Sequence, residues 1–195
     1  GFPTIHIFAK DRLQTLHREG ALERTSEGYA LLLGDLLLAW SFALMQQRCP
    51  GSARVKSRNQ ELFYQMATET MIGQLIDVDL TTKAETTHAR IEQKMILKTA
   101  RYTFTRPLEF GASLQHWSKP IERFCTEFGN ALGTAFQIQD DLLDLLGDPT
   151  KTQKNIFSDL ASRQHTFYTQ HVHLHGTAHD RTLLQTLFGH VLSSE

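Results

Sequence analysis

The stretch of sequence that decides the fold is GNALGTAFQIQDDLLDLLGD, residues 129–148. On an α-helix, where each residue advances by about 100°, Asp140, Asp141 and Asp144 fall on the same side as Gln137. The leucines of the segment fall on the opposite side. The pattern therefore predicts an amphipathic helix with an apolar back and a front that carries carboxylates and one carboxamide.

The acidic front predicts a metal site. Three carboxylates within two helical turns repel one another, so a helix that keeps them together usually has a compensating cation. Hard divalent ions take oxygen ligands, and Mg²⁺ typically binds one or two carboxylates while waters and substrate phosphates fill its other positions. The alternative is a solvated acidic face, but lysines normally intersperse such a face.

The rest of the chain has the same helical character. Only 5 prolines occur, and alternating runs of β-branched and aromatic residues are missing, so the predicted fold class is all-α. Residues 29–45 form the most apolar run; Asp35 interrupts it, it is short for a bilayer span, and it is interpreted as a buried helix. No linker or repeat divides the chain, which predicts a single domain over residues 1–195.

The predicted helices follow from this periodicity and from the positions of proline and glycine. A break is predicted at Arg106–Pro107, a polar loop over residues 150–163, and one or two weaker helices after residue 166. The remaining elements are helices over residues 27–47, 57–78, 81–101, 107–116 and 119–146.

Composition narrows the classes of function. Lys and Arg total 20 against 21 Asp and Glu, giving a net charge of −1, which argues against a nucleic-acid partner or an anionic membrane surface. The 2 cysteines are far apart and match no disulfide framework or zinc motif. No segment resembles a signal peptide. We therefore expect a cytoplasmic protein without stable membrane insertion.

Histidines cluster towards the end of the sequence, where six of the 10 follow residue 164. His-x-His-x-His spacing on a helix does not converge on one ion, and short tracts of this kind are weak evidence for a metal site. A solvated surface is the prediction for this group.

Several segments, in order along the chain, resemble one known family. FQIQDDLLDLLGDPTKTQK, residues 136–154, resembles the second aspartate-rich region of the trans-isoprenyl diphosphate synthases, which make farnesyl, geranylgeranyl and longer polyprenyl diphosphates. Further segments that resemble the family are LLLGDLLLAW (31–40), MIGQLIDVDL (71–80), KTARYTF (98–104) and FSDL (157–160). The segment GYALLLGDLLLAW is most similar to the corresponding segment of actinobacterial members of the family.

The resemblance implies a fold and a reaction. The fold is an antiparallel helical bundle around a central cavity, the isoprenoid synthase fold, usually as a homodimer. The reaction begins with Mg²⁺-assisted ionisation of an allylic diphosphate. The double bond of isopentenyl diphosphate then attacks the allylic cation, and a proton is lost.

The resemblance also implies roles for particular residues. Asp140 and Asp144 hold Mg²⁺, with Asp141 as a further metal ligand or a group just behind the metal. Asp140, Asp141 and Lys98 are the implied catalytic residues. The implied substrate-binding residues are Lys98 and Lys154 on the allylic diphosphate, and Thr99 and Gln137 through orienting hydrogen bonds. Gln74 is a further candidate, either facing the substrate or making an internal hydrogen bond.

The sequence departs from the family pattern in two places. Residues 1–6 resemble the segment that normally follows the family's first aspartate-rich motif. Either an upstream portion with that motif is missing from this sequence, or the protein is a truncated relative. Gln153 stands where the family commonly has glycine. Gln164 and His165 stand where lysines precede the threonine, and Arg163 is a candidate to replace the lost charge.

Two alternatives to the prenyltransferase remain at this point. One is a non-catalytic or regulatory subunit of a heteromeric prenyl diphosphate synthase, which an absent upstream motif favours. The other is a terpene cyclase or a head-to-head condensing enzyme on the same fold. Such enzymes usually lack the Lys-Thr and Gly-Gln-x-x-Asp segments that this sequence has.

Overall fold

The computed structural model describes residues 4–13, 21–115, 117–148 and 156–189. Over these ranges the chain is helical and contains no β-strand, which confirms the all-α class. The elements are α1 (Ile5–Leu13), α2 (Ala21–Arg48), α3 (Ala53–Thr81), α4 (His88–Met95), a π-helical segment (Ile96–Thr105), α5 (Arg106–Gln115), α6 (Lys119–Leu146), α7 (Ser158–Ala161), α8 (Phe167–His175) and α9 (Ala178–Leu187).

The chain divides into two compact units, residues 1–50 and 51–195. The single domain over residues 1–195 stays a prediction. Most predicted helices are confirmed: residues 27–47 lie within α2, 57–78 within α3, 107–116 correspond to α5 and 119–146 to α6. Helices α8 and α9 confirm the weaker helices after residue 166. The loop predicted over residues 150–163 contains α7, while residues 149–155 lie outside the described part of the chain.

The first unit corrects the interpretation of the apolar run at residues 29–45. The run is helical, as predicted, but it is not buried: Leu31, Trp40 and Leu44 expose 68%, 60% and 61% of their surface. In this unit α2 packs against α1, a helix of 9 residues, so most of its circumference stays uncovered. By length and composition, residues 24–48 also suffice to cross a membrane, a criterion that core helices of soluble proteins meet as well.

Two predicted helix boundaries in the second unit are wrong. The helix expected from Thr81 begins at His88, because Thr81 still belongs to α3 and Thr87 caps the next helix by accepting from the Arg90 N–H at 3.2 Å. The break expected at Arg106–Pro107 is missing, since the π-helical segment continues into α5 there. A wider π turn accommodates a proline ring that would collide with the carbonyl four residues back in an α-helix.

Close packing around the π-helical segment positions the polar side chains of this unit. Helices α3 and α6 both pack against the segment, and glycines make the approach possible. A Cβ atom at Gly73 would lie 2.3 Å from the backbone N of Lys98, and one at Gly133 would lie 2.3 Å from the Cα of Ala100. The backbone around Lys98 is therefore held directly between α3 and α6.

A buried charge cluster joins α3, α5 and α6 behind this contact. Arg106 donates to both carboxylate oxygens of Glu69, at 2.6 and 2.9 Å, and to Glu109 at 2.5 Å. Glu109 is 1% exposed and also accepts from the Thr126 hydroxyl at 3.2 Å. Burial alone would lower the pKa of Arg106, but hydrogen bonds and charges from the two glutamates outweigh burial and raise it.

Candidate functional site

A polar pocket of about 150 Å³ lies where α3, α4, the π-helical segment and α6 meet the chain around residues 159–166. π-Helical turns occur frequently at functional sites because they displace side chains from the regular α-helical pattern. Here the π-helical segment presents both Lys98 and Thr99 to the pocket. Other side chains that line it include Asp77, Lys94, Gln137, Asp141 and Asp159.

Three of the predicted site residues form one hydrogen-bonded row. The Thr99 hydroxyl donates to Gln137 Oε1 at 2.6 Å, and Gln137 Nε2 donates to Asp141 Oδ1 at 2.8 Å. Thr99 and Asp141 are each 8% exposed, so this row is largely shielded from bulk water. The row fixes the amide of Gln137 and occupies one oxygen of Asp141 with a hydrogen bond.

A carboxylate on α3 binds two lysines at the same pocket. Asp77 Oδ2 accepts a hydrogen bond from Lys98, and Lys94 Nζ lies 3.1 Å from Asp77 Oδ1. The side chain of Asp77 is 4% exposed. Burial opposes ionisation of Asp77, but the two lysines together outweigh burial and lower its pKa. Asp77 is therefore ionised at neutral pH and paired with two ammonium groups.

The end of α6 carries the acidic front predicted from the sequence. Asp140 and Asp144 are half-buried and Asp141 is buried. Asp144 accepts hydrogen bonds from the backbone N–H groups of Ser158 at 3.1 Å and of Asp159 at 3.0 Å. The carboxylate of Asp144 thus fastens the start of α7 to the end of α6. This contact brings Asp159 to the pocket.

Negative charge accumulates at this end of the pocket. Burial raises the pKa of Asp141, and Asp140 and Asp144 raise it further against the hydrogen bond from Gln137. Burial, followed by repulsion from Asp144 and Asp141, raises the pKa of Asp159 to about 6. Within the described part of the chain no three His, Cys, Asp or Glu side chains converge as a complete metal cage. The donors are oxygen atoms of separate carboxylates.

The raised pKa of Asp159 predicts a pH-dependent stability. Its folded pKa of about 6 lies above the usual 3.8, so this group favours the folded state below about pH 4 and loses that advantage as the pH rises through 6. In the presence of a chelator, Asp159→Asn should raise the free energy of unfolding by about 1–2 kcal/mol at pH 8 and by clearly less at pH 5. Chemical denaturation at both pH values measures this. Glu127→Gln on the exposed face of α6 is the control, and an equal gain at both pH values contradicts the prediction.

The structure does not bring all the predicted site residues to the pocket. Gln74 is exposed on α3 and is not part of the lining. Asp140 and Asp144 lie on the same helix as Asp141 but are not part of the lining either. Lys154 lies outside the described residues. Sequence reasoning missed Lys94, whose signal was its position one helical turn before Lys98. It also gave no role to Asp159, although the FSDL segment that contains this residue resembles the family.

One histidine of the clustered group is not on a solvated surface. His165 is 6% exposed; its carbonyl accepts from Lys94 Nζ at 2.8 Å, and its Nε2 lies 3.2 Å from the carbonyl oxygen of Lys83. Burial lowers the pKa of His165. His171, His175 and His179 are exposed, as predicted, and His173 is half-buried. His190 lies outside the described residues.

Comparison with known proteins identifies relatives over nearly the whole chain. The family model described as polyprenyl synthetase matches residues 14–195. The geranylgeranyl diphosphate synthase of Saccharolobus solfataricus is 24% identical over 97% of this chain and 52% of its own length. The geranylfarnesyl diphosphate synthase of Natronomonas pharaonis is 31% identical over 80% of this chain and 44% of its own length. The chain spans about half the length of the curated relatives it matches.

A solved structure gives the same result for the fold. The geranylgeranyl pyrophosphate synthase from Corynebacterium glutamicum, complexed with isoprenyl diphosphate and magnesium, is 29% identical with a TM-score of 0.86. The likeness covers 98% of this chain and 54% of that one, and it confirms the isoprenoid synthase fold. From the family match and this structural likeness together, the chain belongs to the polyprenyl synthetase family.

Proposed function

We propose that this chain carries part of the active site of a Mg²⁺-dependent prenyltransferase. The enzyme condenses isopentenyl diphosphate with an allylic diphosphate and releases diphosphate, giving geranylgeranyl diphosphate or a similar polyprenyl diphosphate. The observation that carries the proposal is the pocket in which Lys98 and the row from Thr99 to Asp141 stand beside the carboxylates of α6. Relatives named as prenyl diphosphate synthases support it.

The donor set fits Mg²⁺. Asp140, Asp141 and Asp144 offer oxygen ligands, and Asp159 adds a fourth carboxylate close by. Burial is the main cause of the raised pKa of Asp159, and repulsion from Asp144 and Asp141 adds to it; a divalent cation would relieve this repulsion. An incomplete protein cage suits Mg²⁺ because substrate phosphates normally complete its coordination. When bound, Mg²⁺ supplies Lewis-acid stabilisation of the diphosphate leaving group.

The chain's own residues then have separate tasks. Departure of diphosphate builds negative charge on its oxygens, and the Lys98 ammonium stands in the pocket as a point charge to balance it. Thr99 and Gln137 hold the polar wall in one orientation, so no reorganisation is needed as the charge develops. The double bond of isopentenyl diphosphate attacks the resulting allylic cation, and loss of a proton ends the reaction. Lys154 is a further proposed contact to the allylic diphosphate.

The proposal also covers the oligomeric state and the location of the enzyme. We expect a homodimer in the cytoplasm. A non-catalytic subunit is not favoured, because Lys98, Thr99, Gln137 and the three aspartates of α6 are all retained, and four of these six line one pocket. A terpene cyclase is likewise not favoured by the relatives, which are named as prenyl diphosphate synthases.

The function is tested with the native polypeptide, radiolabelled isopentenyl diphosphate and an allylic diphosphate primer. We expect elongated product in the presence of Mg²⁺ and none after chelation. Folded native protein that forms no elongated product with any primer from dimethylallyl to farnesyl diphosphate contradicts the proposal. Thin-layer separation of the dephosphorylated products gives the chain length at the same time.

Lys98→Ala should weaken use of the allylic substrate. Loss of one charged hydrogen bond to a phosphate corresponds to a decrease of about 10- to 100-fold in kcat/KM for the allylic diphosphate. Lys56→Ala, which removes an exposed lysine from the first turn of α3, is the matched control and should leave the constants unchanged. Steady-state kinetics with a varied allylic diphosphate measure both. Equal constants for Lys98→Ala and the native protein would make Lys98 an ordinary surface residue.

A further inference from the structure

Two lysines share one buried carboxylate, but their surroundings differ. Lys94 has a side chain that is 10% exposed, and besides Asp77 it binds the carbonyl oxygen of His165 at 2.8 Å. Lys98 has a side chain that is 37% exposed, and among the described residues its polar partner is Asp77. The Lys94 ammonium is thus held by two partners, whereas Lys98 can turn towards a ligand in the pocket.

Binding of a diphosphate by Lys98 has a consequence for Asp77. When the Lys98 ammonium turns to a phosphate, its hydrogen bond to Asp77 Oδ2 weakens or breaks. A buried carboxylate that loses its counter-charge is strongly unfavourable, and this cost would oppose binding of the ligand. Lys94 stays 3.1 Å from the other oxygen of Asp77 and keeps the carboxylate compensated.

We propose that Lys94 is a positioning residue that holds Asp77 compensated, so that Lys98 is released to bind the diphosphate of the allylic substrate. This inference deepens the proposed function and rests on it for the ligand of Lys98. Lys94 itself need not touch the substrate. Its hydrogen bond to the His165 carbonyl keeps it in place while Lys98 changes partner.

The placement of the three groups supports this division of tasks. Lys94 and Lys98 are one helical turn apart, at the junction of α4 with the π-helical segment, and both reach Asp77 on α3. Among the described residues that line the pocket, Lys94 and Lys98 are the two with basic side chains. The residues of the lining that follow α7, such as Gln164 and Thr166, add no charge. Any compensation of Asp77 after Lys98 moves therefore falls to Lys94.

The test measures binding of inorganic diphosphate with Mg²⁺ by isothermal titration calorimetry on the native polypeptide. Lys94→Met should weaken binding about tenfold, because Lys98 then remains on Asp77. Lys94→Arg, which keeps the charge, should retain most of the affinity. The decisive variant is Lys94→Met with Asp77→Asn, which removes the carboxylate that holds Lys98 and should restore binding to that of Asp77→Asn alone.

A purely structural role for Lys94 gives a different pattern. If Lys94 only ties α4 to the His165 carbonyl, Asp77→Asn cannot rescue Lys94→Met, and that result overturns the proposal. Equal affinity of Lys94→Met and the native protein also overturns it. If Lys94→Met does not fold, Lys94→Met with Asp77→Asn is compared with Asp77→Asn alone, where any residual tenfold loss contradicts the proposal.

Lys98→Ala separates this inference from the proposed function. Loss of diphosphate affinity in Lys98→Ala, with unchanged affinity in Lys94→Met, rejects the positioning role and leaves the function intact. Unchanged affinity in Lys98→Ala rejects diphosphate as the ligand of Lys98 and with it the positioning role of Lys94, whereas the function itself is decided by the product assay. In a Lys98→Ala background, Lys94→Met should not lower the diphosphate affinity further, because Lys98, which Lys94 releases, is already missing.

Discussion

Replacing Arg106 with methionine should lower the free energy of unfolding by about 3–5 kcal/mol, because it leaves the buried carboxylate of Glu109 without its counter-charge and leaves the half-buried Glu69 only the more distant Arg101, at 3.9 Å. Glu109 is 1% exposed, and the side chain of Glu69 is 20% exposed. Methionine has a similar length and fills much of the space, so the loss reflects charge more than a cavity. Urea denaturation at pH 7.5 measures the difference.

The control uses the same substitution at an exposed ion pair. Arg123 binds Glu127 at 2.6 Å on the outer face of α6, and its side chain is 79% exposed. Exposed pairs contribute about 0–1 kcal/mol, so Arg123→Met should change stability little. A triple variant that combines Arg106→Met with Glu69→Gln and Glu109→Gln should recover at least half of the loss. Similar losses for Arg106→Met and Arg123→Met would show that the buried cluster is not held by its charges.

The sequence predicted the helices well where their signals are local. Lys119 and Pro120 begin α6 and Gly147 follows its end, and these are strong start and stop signals. The polar front of α6 follows directly from helical spacing. The break expected at Arg106–Pro107 was wrong because a π turn accommodates proline, and a single sequence contains no clear signal for that register.

The site was predicted only in part because its geometry depends on distant contacts. Thr99 and Gln137 lie 38 positions apart, and the hydrogen bond between them requires glycines that let α6 approach the π-helical segment. Lys94 was missed because a lysine on a helix is normally solvated. Its burial depends on Asp77 and on the carbonyl of His165, which is 71 positions away. Exposure of α2 was likewise not predictable, since an apolar run does not say what covers it.

Asp140→Ala should reduce Mg²⁺-dependent turnover by about 10³-fold or more. In the proposed mechanism, loss of Asp140 as a metal ligand removes several kcal/mol of stabilisation from the departing diphosphate, and each 1.4 kcal/mol corresponds to about tenfold in rate. Asp140 is half-buried on the polar front of α6, away from the helix's apolar back. The variant should therefore fold, with a thermal midpoint close to that of the native protein.

Two measurements make the role of Asp140 specific. Turnover is compared with that of Glu127→Ala, which removes a carboxylate from the exposed face of the same helix and should leave the rate unchanged. Binding of Mg²⁺ with diphosphate raises the thermal midpoint of the native protein by mass action, and this increase should shrink or vanish in Asp140→Ala. Retained turnover would remove Asp140 from the metal site. Lost turnover with a normal Mg²⁺-dependent increase would place its role in a step after metal binding, because the acidic front would then still hold the ion without it.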